Sequence, residues 1–155
     1  MGFLSTLFKI KMKKYLIAMA LMLFALANQA QTKKFNWISW HKVSPEVKSK
    51  LKAIKINKTE TLYSSIAEAV TDAKAMGGTY NVMVAEIDLD GDGLMGYAVG
   101  YSGSYFCGSS GCPIEVYEKN GTKTLSVTDM WSDVKPAKNG IITSQGRFVA
   151  LKTSK

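Results

Sequence analysis

The sequence predicts an α+β domain with two N-terminal helices packed on one face of an antiparallel sheet of about five strands. Three observations lead there. Apolar residues between Val47 and Ala73 recur at helical spacing, from Thr79 onward they alternate with period two, and Asn120-Gly121 is a strong hairpin signal between two alternating runs. Helices followed by a meander of strands give an α+β domain, with the helices on one sheet face.

Residues 1–30 are expected to lie outside that domain. Lys9, Lys11, Lys13 and Lys14 precede an apolar run, Tyr15 to Ala27, and small and polar residues lead on to Ala30, which is the pattern of a signal peptide. The run is shorter than the ~18 residues a spanning helix needs. No second hydrophobic segment follows, so no transmembrane segment is expected in the mature chain. Met12-Lys-Lys is a second candidate start, and cleavage is expected after Ala27 or Ala30. The remainder, 31–155, is then a single exported domain, periplasmic or extracellular.

Removing the leader changes the charge. The whole chain carries 20 basic and 12 acidic residues, a net of +8; from Gln31 onward the excess is only +4. It is uneven, because Lys33 to Lys58 holds eight Lys and one Glu, whereas Thr59 to Lys155 holds eight basic and eleven acidic residues. Such a front segment either contacts anionic envelope material or is a solvated face. Nucleic acid is not an expected partner, since no recognition motif accompanies the charge.

The elements follow in order. Phe35, Trp37, Ile38 and Trp40 form an aromatic cluster suited to an edge strand or a partner-binding arm, and His41, the only histidine, lies beside it. A lone His between aromatic and basic neighbours reads as an exposed or packed side chain, not as a ligand or base. Ser44-Pro45-Glu46 starts the first helix, with Ser as cap and Pro at the first helical position. Val47, Leu51 and Ile54 share one face. A second helix is expected from near Thr59 to Thr61 through Met76, with Leu62, Ile66, Ala69, Val70 and Ala73 as its buried stripe and Gly77-Gly78 ending it. Strands are expected at Tyr80 to Ile87, Leu94 to Tyr101, Pro113 to Lys119, Lys123 to Thr128 and Arg147 to Lys152. Asn139-Gly140 marks a further turn before a short Ile141 to Thr143 segment.

Candidate chemistry concentrates between Ile87 and Val116. Asp88, Asp90 and Asp92 alternate with Gly91 and Gly93, and carboxylates at alternate positions of a tight turn can converge on one hard cation. As an EF-hand loop the pattern fails at the twelfth position, which is Val99 instead of Glu, and its flanks favour strands. A shorter Ca²⁺ loop would use Asp88, Asp90, Asp92 and the main-chain carbonyl near Leu94, with affinity of roughly 10⁻⁴ to 10⁻³ M. The other reading is an acidic hairpin turn whose Asp side chains bond nearby backbone N–H groups. Cys107 and Cys112 are the only cysteines, and two cysteines in an exported chain most simply form one disulfide. The C-x₄-C spacing, with no basic residue close by, does not suggest redox chemistry. Tyr97, Tyr101, Tyr105 and Phe106 lie between the two loops with Gly96, Gly100 and Gly103 interleaved. Either they are core, or the glycines let a sugar or peptide approach an aromatic floor.

The order of strand, DLDGDG, apolar strand and Y-F-C-G-S-S-G-C followed by I-E-V-Y resembles a group of small secreted bacterial proteins of unassigned function. They pair a D-x-[DN]-G-D-G loop with a C-G-x-G-G-C type clip, and the loop is also similar to those of FG-GAP and dockerin-type calcium modules. The resemblance covers Val82 to Lys119, with G-R-F-V-A-L near the end similar to a closing strand. It departs at Gly96, where such proteins often carry an acidic residue. It implies a fold and brings no activity. The functional expectation is an exported, non-enzymatic binding or structural domain whose ligand is a glycan, peptide or protein of the envelope or medium. The alternative is an inhibitor of an extracellular hydrolase, because Ser102 to Tyr105, S-G-S-Y, is similar to a fragment of small bacterial lysozyme inhibitors. A hydrolase is the weakest reading, since no nucleophile, base and orienter set can be assembled.

Overall fold

The computed structural model describes residues 34–88 and 95–152. The leader expected over 1–30, and Asp90, Asp92 and Leu94 of the acidic loop, lie outside the described residues.

Alternation sets the central sheet. In β2 (Asn81–Ile87), Val82 and Val84 turn to one face and Ala85 to the other, and β3 (Gly96–Ser102) sends Tyr97, Val99 and Tyr101 one way and Ala98 the other. With β1 (Ile38–Ser39), β4 (Cys112–Tyr117) and β5 (Lys123–Asp129) these make a five-stranded antiparallel sheet in sequential order. The Asn120-Gly121 turn joins β4 to β5, with Thr122 N–H donating to Asn120 Oδ1 at 2.8 Å and Glu118 N–H to the Thr122 carbonyl at 2.9 Å.

Helix α1 (Pro45–Ala53) starts where Ser44 Oγ accepts from Val47 N–H at 3.3 Å with Pro45 as its first residue. Helix α2 (Leu62–Ala75) starts in a capping box, in which Thr61 Oγ1 accepts from Ser64 N–H at 3.1 Å and Ser64 Oγ from Thr61 N–H at 2.9 Å. Leu51, Ile54, Leu62, Ile66 and Val70 bury against Val82, Val84, Tyr97, Val99 and Tyr101, the first of two cores.

The opposite face of the sheet is also covered. Phe35, Trp37, Trp131, Val134 and Ile141 pack on Ala85, Ala98, Ile114, Val116 and Leu125 to form the second core. Ile141 belongs to a separate three-stranded antiparallel sheet, β6 (Lys135–Ala137), β7 (Gly140–Ile142) and β8 (Phe148–Ala150), turned at Asn139, which takes a φ of 58°. The α+β reading is right in outline, but its arrangement needs correcting in two respects. The helices follow β1 instead of opening the domain, and the strands divide into two sheets of five and three. The physical reason is the second apolar face: a sheet whose central strand is buried on both sides needs a second cover, and the C-terminal strands supply it. No described helix is long and apolar enough to cross a membrane.

Candidate functional site

The strand registers place the strand ends that flank the acidic segment far from the clip. Ile87 pairs with Gly96 and Tyr97 with Tyr117, so the acidic segment leaves and re-enters the sheet beside the β4–β5 turn. Asn81 pairs with Ser102 and Cys112 with Asp129, so the cysteine clip lies at the other end of the same strands. Across seven residues of β3 the separation is roughly 20 Å. The strand ends that flank the acidic segment therefore lie at one end of the sheet and the clip at the other.

At the acidic end, a cleft of about 390 Å³ opens between α1 and the sheet, lined by Lys50, Ile54, Glu86, Met95, Tyr97 and Lys119 among others. Its polar centre follows from pairing. Glu86 and Tyr97 are cross-strand partners, Tyr97 Oη donates to Glu86 Oε1 at 2.9 Å, and Lys50 Nζ reaches the same oxygen at 3.1 Å and Glu46 Oε1 at 3.3 Å. Burial pushes the Glu86 carboxyl up, but the hydrogen bonds from Tyr97 and Lys50 and the Lys50 charge outweigh it, so the group sits below the ordinary glutamate value. The bonds to Glu86 and then Glu46 raise the Lys50 ammonium in turn. Burial, and then the bond to Glu86, push the Tyr97 phenol up, so Tyr97 stays a neutral donor. Neither Glu86 nor Lys50 was singled out from sequence, although a signal existed. Glu86 continues the Val82, Val84 face, and a carboxylate in line with buried valines needs partners.

The four aromatic residues do not form one platform. Tyr97 and Tyr101 are buried in the helix-side core, Phe106 packs half-buried on Tyr101 with ring centres 5.0 Å apart, and Tyr105 is 38% exposed beside it. The room left by Gly100 is filled by the chain itself: a Cβ there would meet Trp131 Cβ at 2.9 Å and Trp37 Cη2 at 3.4 Å.

Cys107 and Cys112 form the disulfide, with their Cα atoms 4.3 Å apart. Gly108 and Gly111 pair across the loop through two 3.1 Å backbone bonds, leaving Gly108, Ser109 and Ser110 exposed. The loop is braced at its base. Gly103 takes a φ of 101° with its Cα so near the Thr79 carbonyl that a Cβ would lie 2.2 Å from the oxygen. Ser104 Oγ accepts from Thr79 N–H at 3.1 Å, and Ser104 N–H donates to Thr79 Oγ1 at 3.0 Å. Within S-G-S-Y, then, Ser104 is engaged internally and Tyr105 faces outward.

Among the described residues no group of three or more His, Cys, Asp or Glu side chains is placed to hold a metal; of the predicted calcium ligands only Asp88 lies within them. His41 is exposed, with its ring 6.2 Å from that of Tyr80. No family model, curated protein or solved structure matches the chain.

Proposed function

We propose that the chain is an exported, non-enzymatic binding domain whose acidic loop, Asp88, Asp90 and Asp92 with the Leu94 carbonyl, takes Ca²⁺ and organises the adjoining cleft for a ligand from the envelope or medium. The observation that carries this reading is the cleft at the acidic end of the sheet, where an apolar wall of Ile54 and Met95 meets the charged side chains of Lys50, Lys119 and Glu86. An apolar wall with a few fixed polar groups is the usual make-up of a small-ligand site. Glu86, Lys50 and Tyr97 hold one another in place, so the polar groups are positioned before a ligand arrives. Ca²⁺ fits the chemistry of the segment, since three carboxylates within five residues repel one another unless a cation lies among them.

Thermal unfolding in millimolar CaCl₂ against chelator tests the metal. At one hundred times the dissociation constant, binding to the native state alone stabilises by about 2.7 kcal/mol. The melting temperature is expected to rise with Ca²⁺ in the native chain and to stay level in Asp90→Ala. Equal melting temperatures of the native chain in both buffers would reduce the Asp run to an acidic turn.

A further inference from the structure

A second cleft, at the clip end of the sheet, is built from three separate segments. It encloses about 290 Å³ between Ser110 and Gly111 of the clip, Thr128 to Met130 at the end of β5, and Thr143, Gln145 and Arg147 of the β7–β8 turn. Asp129 joins these parts. Its carboxylate accepts from Met130 N–H at 2.7 Å, from Ser144 N–H at 2.8 Å and from the Ser144 hydroxyl, which ties the turn of one sheet to the last residue of the other. The turn is fixed within itself too: Thr143 N–H donates to the Arg147 carbonyl at 2.9 Å, and Arg147 N–H to the buried Thr143 Oγ1 at 3.1 Å. On the facing wall Gly111 lies against the Asp129 backbone, so closely that a Cβ would meet Asp129 N at 3.2 Å, and the disulfide holds that wall in register through Cys112, the pairing partner of Asp129.

The hydrogen-bonding groups of the cleft divide into committed and open ones. Three donors already occupy the Asp129 oxygens, so that carboxylate has little acceptor capacity left for a ligand. The Arg147 guanidinium, a donor only, makes no hydrogen bond or ion pair with any described residue, and the Gln145 amide and the Ser110 and Thr128 hydroxyls, which both donate and accept, are likewise uncommitted. A ligand that satisfies such walls carries a carboxylate for the planar guanidinium fork and neighbouring hydroxyls for the amide and hydroxyl groups.

We propose that this cleft binds an acidic sugar of the uronic-acid type, its carboxylate on Arg147 and its hydroxyls on Gln145, Ser110 and Thr128. The site is independent of the acidic loop at the opposite end of the sheet and stands whether or not that loop takes Ca²⁺. The disulfide has a purpose here, because it fixes the Ser110 wall that the ligand faces.

Isothermal titration of the purified, oxidised chain in chelator, with galacturonate, galactose and inorganic phosphate as probes, tests it. Galacturonate is expected to bind with a dissociation constant of about 1 mM, ordinary for a ligand of that size. Galactose should bind at least about tenfold more weakly for want of the charge-assisted pair. Arg147→Ala should lose galacturonate by about the same factor, and Arg147→Lys, which keeps the charge without the fork, should fall between. Arg147 is exposed, and its side chain acts on the rest of the chain only through its charge beside Asp129, which Arg147→Lys keeps, so the fold is retained in that variant; Gln145→Ala is a second variant expected to weaken binding. Absence of galacturonate binding, equal affinity for galactose or phosphate, or an unchanged affinity in Arg147→Ala would each overturn the proposal.

Discussion

Gly100 and Asp129 each hold two parts of the molecule together without contributing to a hydrophobic stripe. Gly100 lets Trp131 and Trp37 reach the sheet, and the two rings meet edge to face with centroids 5.7 Å apart. Gly100→Ala puts a methyl 2.9 Å from the Trp131 Cβ, a contact that only movement of a packed tryptophan can relieve. Overpacking of this kind costs about 1–3 kcal/mol. Urea unfolding should register the loss, and an alanine variant as stable as the native chain would mean the tryptophan is not seated there. Partial burial pushes the Asp129 carboxyl up, but the Ser144 and Met130 hydrogen bonds, with the Arg147 charge, outweigh it and leave its acid strength greater than in the unfolded chain. Its contribution is therefore complete above its unfolded-state value of about 4 and is lost as pH falls through the lower folded value. Asp129→Asn should destabilise near neutrality and flatten the acid limb of the stability–pH curve; parallel acid limbs for the two proteins would contradict the assignment.

Among the elements, both helices could be read from the chain because their signals are local. Ser44-Pro45 and Thr61 lie where the caps form, and the stripes Val47, Leu51, Ile54 and Leu62, Ile66, Val70, Ala73 are the faces that bury. Thr61→Ala removes the side chain that accepts from Ser64 N–H, and should cost about 1 kcal/mol in urea unfolding, with Thr61→Ser recovering most of it. A Thr61→Ala loss too small to resolve would show that tertiary packing alone holds the start of α2. The Asn120-Gly121 and Asn139-Gly140 turns were equally legible, since each depends on residues that tolerate left-handed backbone. The last strand was harder. Its residues alternate like those of the main sheet, and nothing in G-R-F-V-A-L says which neighbour it pairs with, so the sequence alone predicts it in the main sheet. In the fold it pairs with β7 instead.

For the molecule as a whole, the five-stranded sheet is the wall shared by both cores, so neither core can come apart without exposing the other's strands. Trp37 and Trp131 report the face under the small sheet, and the helices report the opposite face. In Trp40→Phe, tryptophan fluorescence and far-ultraviolet circular dichroism should follow one coincident urea transition. Separate midpoints would show that the small sheet is lost independently of the helices.

The local features were determined by the sequence: the helix caps, the apolar stripes, the hairpin turns and the pairing of the only two cysteines. Each is set by residues within a few positions of one another, where backbone preference and side-chain period act directly. Only the tertiary structure decided that the strand ends flanking the acidic segment and the clip stand at opposite ends of the sheet, that Tyr97 and Tyr101 belong to the core, and that Asp129, Gln145 and Arg147 share a cleft with Ser110. Those outcomes depend on strand register and on which sheet face the C-terminal strands cover, and both are settled by burial of two apolar faces summed over the whole chain, a quantity that no single stretch of residues carries.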